Sequence, residues 1–449
     1  MIGRLRMVSV GVACLAIVGV VPVLAQPVAV EQGQPALTQS VYTPPACVPG
    51  VPFFDITCTT GFDSWIEQFG LDGITAGCGG GLYCPSTPVT RDQMAVFLEK
   101  AMRGTANWPT HTVLVFHHSA AEANSDINSG TELLSMVAAI PNSGSEAPSA
   151  TNPWLVKVGP GIFDLGSGSL TLPAYTAIEG AGQDTTVITA AGYADMVHGT
   201  LIMGDHGWLS RLTVNNSGGN SFEIAVYLPA LASMASFEHV TLSASNPLNT
   251  NQSSALCLYS EGNTSFSLVD CDLTAHGAYS NFGIFAPSST GEARLDGVQV
   301  TVYGSEVVSG QSFGFDVTGS AVIINSSFSV SDGGTQDGIF QGGGNLVLRN
   351  SEIHILGSGI GVMLNGASAT LQGDLVVSQG WGVGTYGSGF VADISNCRVE
   401  GSPYWLVSAL SYTTTVGASK LAGTTSNSGG TVNCFGNYTA SAFLANTCP

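Results

Sequence analysis

The chain has 449 residues, 44% of them hydrophobic and only 9% charged, with 58 glycines, a composition that excludes disorder for most of its length and favours turns and strands over helices. Thirty-one acidic residues stand against 11 basic ones, a formal charge of −20. That balance excludes nucleic acid and anionic lipid as partners, since both need basic surface.

Residues 1–25 read as a secretory signal peptide: Arg4 and Arg6, the apolar run Met7 to Val21, then Val23-Leu24-Ala25 before Gln26. Cys14 would serve a lipoprotein signal instead, for which Gly11-Val12-Ala13 is a poor lead-in, and an uncleaved anchor is the other alternative. No later stretch is apolar for long enough to span a bilayer, so the mature chain is read without a membrane span. Nine of the ten cysteines lie beyond the signal and fit an oxidising compartment. Pairing by proximity gives Cys47 with Cys58, Cys78 with Cys84, Cys257 with Cys271 and Cys434 with Cys448, leaving Cys397 over. No pair has the C-x2-C spacing of a zinc site, and the reading includes no metal and no cofactor.

Residues 26–46, rich in Pro, Gln and Val, form a linker. From Cys47 the pattern changes to Phe53-Phe54-Asp55, a short helix holding Trp65, Ile66 and Phe69, then Gly73-Ile74-Thr75-Ala76-Gly77-Cys78 and Tyr83-Cys84-Pro85. A second helix opens at Thr90 with Gln93 as a capping box, presents Met94, Phe97, Leu98 and Ala101 on one face, and stops at Gly104. Residues 47–104 resemble one copy of the S-layer homology module, most closely in Val89-Thr90-Arg91-Asp92-Gln93-Met94-Ala95-Val96-Phe97-Leu98. The resemblance implies noncovalent attachment to cell-wall polysaccharide, with Arg91 in the motif's arginine position. Family members commonly carry three tandem copies where this chain has one, and the Cys78 to Cys84 loop departs from the pattern. A small structural cap without a ligand is the competing reading.

Residues 105–151 are transitional, with a strand-like His111 to Phe116 and a helix expected over Thr131 to Ile140, whose apolar face is Leu133, Leu134, Val137 and Ile140. Ahead of a solenoid, such a helix would cover the open first coil.

Residues 152–449 carry the solenoid. Asn152-Pro153-Trp154 to Ile162-Phe163, Ile178-Glu179-Gly180-Ala181-Gly182-Gln183-Asp184-Thr185-Thr186-Val187-Ile188 and Gly207 to Val214 resemble the opening coils of pectin methylesterases, within the wider pectin-lyase-like β-helix group. From Asp205 to Thr425 a phrase recurs every 22 to 33 residues, each copy headed by an apolar anchor: Leu212, Val240, Leu273, Val298, Phe328, Ile353, Leu375, Val399 and Leu421. A Gly/Ser/Thr/Asn/Val repeat of this length cannot bury its own apolar face and must stack on copies of itself. The fold class is mainly β: a right-handed, single-stranded parallel β-helix with a small helical module before it. Asn325, Asn350 and Asn396, with Asp270 in the same slot three residues before an anchor, suit left-handed turns. Stacked at ~4.8 Å, their side chains would form a hydrogen-bonded ladder; solvated turn residues are the alternative.

Catalysis on a uronate polymer needs carboxylates beside a cation. The methylesterase motifs are not found at their places: Gln183-Asp184-Thr185 has the letters of the first but lies too early, and the stretch after Leu273 reads Ala275-His276-Gly277-Ala278-Tyr279. Asp270 and Asp272 are expected on one strand face with Asp296 one coil away, a candidate acidic cluster for glycoside hydrolysis; solvated turn acids are the plainer reading. Asp205-His206-Gly207 and His117-His118 lack the partners of a nucleophilic site. Trp381, Tyr386, Tyr404 and Trp405 are candidates for sugar stacking, or for core packing in the last coils. The function expected is a secreted cell-surface protein, docked on envelope polysaccharide and presenting a noncatalytic β-helix to glycans; the alternative is a polysaccharide hydrolase or esterase using an unrecognised acidic site.

Overall fold

The computed structural model describes residues 46–50, 52–71, 74–75, 77–90, 93–94, 97–98, 111–219, 221–230, 232–246, 253–288, 291–304, 310–409 and 411–449. The expected signal peptide, nearly all of the linker, Arg91 and the end of the second helix lie outside them. The fold divides into two compact units between Thr105 and Ala106.

In the first unit Phe53 and Ile56 are buried, and the helix Asp63–Leu71 packs Phe69 edge-on to Phe97 with centroids 5.5 Å apart. Disulfides join Cys47 to Cys58 and Cys78 to Cys84. The Asp55 carboxylate accepts the Tyr83 and Cys84 N–H groups at 2.8 and 2.7 Å, which tie the second stapled loop to the Phe53 turn and hold the carboxyl below its ordinary range. The capping box forms as read: Thr90 N–H donates to Gln93 Oε1 at 3.0 Å and Gln93 N–H to Thr90 Oγ1 at 3.3 Å.

The second unit is a right-handed parallel β-helix. Each coil runs through three sheets, as in Ser265–Val269, Asp272–His276 and Ser280–Ala286, and the next coil repeats them as Glu292–Asp296, Gln299–Tyr303 and Gln311–Thr318. Each of these strands pairs in parallel with its counterpart one coil on. Val214, Leu242, Leu273, Val300, Phe328, Ile353, Val376, Val399 and Leu421 form one inward column of the second sheet, all buried. The nine anchors therefore come from more than one column. Leu212, Val240 and Val298 sit two residues earlier in the chain, just after the corner, and Leu375 pairs with Glu352 and points outward while Val376 takes the inward place.

Between the first and second sheets each coil turns on one left-handed residue: Arg211, His239, Asp270, Gly297, Asn325, Asn350, Gly373, Asn396, Ala418 and Gly436. Asn, Asp and Gly suit that conformation, as expected, but the Asn side chains are exposed and form no continuous ladder. The ladder lies one residue further on, inside. Ser326 N–H donates to Ser351 Oγ at 3.2 Å, Ser351 N–H to Asp374 Oδ1 at 2.9 Å, Cys397 N–H to Ser419 Oγ at 3.1 Å and Ser419 N–H to Asn437 Oδ1 at 2.9 Å. Turn amides pointing inward at a corner meet no strand partner, and a short polar side chain in the next coil satisfies them.

The first coil begins with His111–Val115, which pairs with Trp154–Val158. The cap helix runs Ser125–Ala138, starting earlier than its apolar spacing suggested. Ser125 to Gly130 are poor helix formers; docking overrides propensity, because Gly130 and Ser129 are buried and Gly130 lies on the Asp164 backbone of Gly161–Asp164. Leu133 and Val137 complete the seal. At the far end the antiparallel pair Asn437–Tyr438 and Phe443–Leu444 and the Cys434–Cys448 disulfide close the last coil. Cys257 and Cys271 are buried free thiols, not a disulfide: the chain between them travels from the third sheet to the corner after the first, so nearness in sequence does not join them. Cys397 is free, as expected.

Candidate functional site

The outer face of the third sheet carries a second apolar cluster, separate from the core. Its strands bend inward at one column, Cys257, Gly283, Gly314, Gly338, Gly361 and Gly382, which the pairing register skips. A Cβ at Gly338 would overlap Ile353 Cγ2 and lie 2.6 Å from the Gly361 carbonyl oxygen, so the chain approaches the facing strands too closely for a side chain. The bend breaks the alternation of sides: residues on either flank of the glycine, three apart, both point outward and converge. Phe282 and Phe285 show this with ring centroids 4.5 Å apart.

Two outward columns result. One runs Ile224, Leu256, Phe282, Phe313, Asp337, Ile360, Trp381, and the other Tyr227, Tyr259, Phe285, Asp316, Phe340, Met363. Rings stack along both: Tyr227 on Tyr259 at 5.6 Å, Tyr259 on Phe285 at 5.7 Å and Phe282 on Phe313 at 5.3 Å. Where the ladders are interrupted, Phe313, Asp316, Asp337 and Phe340 form a square, the phenyl rings on one diagonal at 6.4 Å and the carboxyl groups on the other. Burial pushes both acids up to about 7. Asp337 is 5% exposed; the Ile360 N–H partly offsets its burial and repulsion from Asp316 adds to it. Asp316 is partly exposed. The Asp316 charge acts on Asp337, and a pair of carboxyls raised toward neutrality can hold a proton on one member while the other is ionised.

Sequence reading missed this pair, because a period-two reading does not survive the glycine bend. The signal was there as a recurrent apolar-or-acid, Gly, apolar phrase: Phe282-Gly283-Ile284, Phe313-Gly314-Phe315, Asp337-Gly338-Ile339, Trp381-Gly382-Val383.

The expected acids do not converge. Asp270 is the left-handed corner residue, with its carboxylate 3.7 Å from His239. Asp272 points outward from the second sheet, where burial and the Asp184 charge raise it. Asp296 ends a first-sheet strand and accepts from Asn325 Nδ2 at 3.1 Å. Trp381, 36% exposed, does belong to the outward column of Asp337. Tyr386 is 50% exposed at the end of that strand and Tyr404 half-buried beyond it. Trp405 is fully buried in the core, which removes it as a stacking platform.

A shallow depression of about 450 Å³, lined by Ser217, Gly218, Ser245, Asn246, His276 and Gly277, occupies the turns leading into the third-sheet strands but contains neither acid of the pair. In the first unit a cavity of about 110 Å³ lies beside the Thr90 turn, lined in part by Thr75, Tyr83, Pro88 and Gln93. Among the described residues no cluster of His, Cys, Asp and Glu is arranged to hold a metal ion, and no helix is long and apolar enough to cross a membrane.

No family model matches the chain, and no curated protein does. Among solved structures it is similar to the A-module of mannuronan C-5 epimerase AlgE4 from Azotobacter vinelandii, at 13% identity over 70% of this chain and 96% of that one with a TM-score of 0.40. Pectin methylesterase PemA from Erwinia chrysanthemi is similar at 12% identity over 75% and 91%, TM-score 0.25. The catalytic unit of a GH87 α-1,3-glucanase from Streptomyces thermodiastaticus is similar at 12% identity over 75% and 67%, TM-score 0.34. Likeness at this level is a matter of coil architecture and carries nothing about chemistry.

Proposed function

We propose that this is a secreted cell-surface protein whose β-helix binds a glycan along the outer face of the third sheet, while residues 47–104 dock it on envelope polysaccharide. The observation that supports the glycan site is the outward square of Phe313, Asp316, Asp337 and Phe340, continued by the exposed ring of Trp381. Apolar surface beside a few convergent polar groups is what a sugar, with its C–H faces and hydroxyl edges, requires. Three disulfides agree with an oxidising compartment. Binding of the full chain to a polysaccharide panel tests the reading: Asp337→Asn and Trp381→Ala should weaken retention on the polymer that binds, and a chain retained by none is not a glycan binder.

The carboxyl pair favours a second reading, hydrolysis. The protonated member would give its proton to the glycosidic oxygen as the bond to the anomeric carbon breaks, and the ionised member would take a proton from the water whose oxygen forms the new bond. Release of reducing ends, lost in both Asp316→Asn and Asp337→Asn, would establish it; unchanged release in either variant would remove the pair.

Docking rests on the Thr90–Gln93 turn and the cavity beside it. Arg91, outside the described residues, is the proposed contact for an anionic wall polymer. The full chain should sediment with isolated envelopes and Arg91→Ala should sediment less at unchanged thermal stability; equal sedimentation by a folded Arg91→Ala removes Arg91 from the site.

A further inference from the structure

The solenoid segregates its charge by face. Between Ala106 and Pro449 the sequence holds six Lys and Arg residues, and none lies on a strand of the third sheet. Lys157 belongs to Trp154–Val158 of the first sheet and Arg211 to the corner between the first and second; both approach the buried Glu179, at 3.7 and 3.6 Å. Arg294 and Arg349 sit on first-sheet strands, Glu292–Asp296 and Asn345–Arg349. Arg398, ion-paired with Glu400 at 2.6 Å, and Lys420 open second-sheet strands. Residues 247–252, 289–290 and 305–309, outside the described residues, contain neither Lys nor Arg.

The charges on or beside this face are acidic: Asp316, Asp337 and Glu261, which accepts the Tyr227 hydroxyl. Tyr227 and Tyr259, raised by burial, stay neutral. Two histidines flank the face. His198 is 2.6 Å from Asp195, and burial lowers the His276 imidazole toward its neutral form as it stacks on Tyr303. A polyuronate bound here would bring carboxylates against carboxylates in a half-dry site with nothing to neutralise them, and like charges at such range cost more than sugar contacts return.

We infer that the glycan taken by this face is uncharged, a neutral hexose or pentose polymer, and that the Asp316–Asp337 pair excludes uronate chains. The inference rests on the glycan-binding reading. Bound to a neutral chain, the protonated carboxyl donates to a ring or hydroxyl oxygen and the ionised one accepts from a hydroxyl, so both find partners.

Affinity electrophoresis of the full-length protein tests this, with gels containing hydroxyethyl cellulose, soluble β-1,3-glucan, xylan, galactomannan, polygalacturonate or alginate, each at pH 5 and pH 8. Retardation is expected in at least one neutral gel and at least about tenfold weaker in both uronate gels at pH 8. The double variant Asp316→Asn/Asp337→Asn, neutral at both pH values, should narrow that difference, which a merely structural role for the acids would not do. Uronate binding at pH 8 as strong as neutral-glycan binding, weakened by Trp381→Ala, overturns the inference and leaves the glycan site standing. No retardation in any gel overturns both.

Discussion

At the scale of single residues, burial raises the carboxyls of Asp337 and Asp374 alike, to about 7, but the two point to opposite sides of the solenoid wall. Asp337 faces outward beside Phe313, Phe340 and the Asp316 carboxyl; its folded-state acidity sits near 7 against an ordinary value of 3.8. The folded chain therefore binds its proton more tightly than the unfolded chain. The stability this contributes is present in full below pH 4, falls as pH rises toward 7, and is absent above. Asp337→Asn, uncharged throughout and still able to accept from Ile360 N–H, should be more stable than the parent at pH 8 by on the order of 2 kcal/mol, with no gain at pH 4. Thermal unfolding at the two pH values measures it, and an equal gain at both would mean that charge is not the cause. Asp374 faces inward, where it accepts the Ser351 and Gln372 N–H groups at 2.9 and 2.8 Å. Asp374→Ala leaves the buried Ser351 N–H and the part-buried Gln372 N–H without their acceptor and should cost about 2–4 kcal/mol, while Asp374→Asn, keeping an acceptor, should cost less. Equal losses would show that the cavity, and not the ladder, matters.

At the scale of elements, the glycine column is what separates the legible part of this fold from the rest. Second-sheet strands alternate cleanly, so period-two runs such as Val298-Gln299-Val300 revealed the coils, and Asn at a left-handed corner is a local preference that needs no tertiary knowledge. The anchor columns were mixed because the residue just after a corner also points inward, two places before the strand's own anchor, and because at Leu375-Val376-Val377 three apolar residues in a row hide which one faces in. Asp316 and Asp337 were unreadable by alternation because each lies three residues from its same-side neighbour across a bend. The inner ladder was misplaced by one residue for a related reason: the Asn that permits the turn is conspicuous, while the Ser or Asp after it, which satisfies the turn, is not. Gly338→Ala tests the bend directly. Its Cβ has no room against Ile353 and the Gly361 carbonyl, so the variant should lose about 2 kcal/mol or more and splay the two outward columns. A neutral effect on unfolding would mean that the strands can part without cost.

At the scale of the whole molecule, stability is a chain of neighbour-to-neighbour terms with two ends, one covered by the helix Ser125–Ala138 and the other by the Phe443–Leu444 strand and its disulfide. Far-ultraviolet circular dichroism of the full protein should be dominated by β signal, and a mainly helical spectrum would contradict the fold. The columns have a consequence for how such a molecule can change length. Because Asp337 and Ile360 occupy the same place in successive coils, the solenoid is a one-dimensional lattice whose unit cell can be cut out. Excising residues 338–360 joins Asp337 to Gly361 in the role of Gly338, removes one strand from each sheet, and brings Trp381 one step of ~4.8 Å nearer to Asp337. The shortened chain should fold with an unchanged spectrum, whereas excising half that span should not fold at all. Whole-coil gain and loss would then act as a vernier, setting the distance between carboxyl pair and ring, and so the length of chain read between them, without redesigning either.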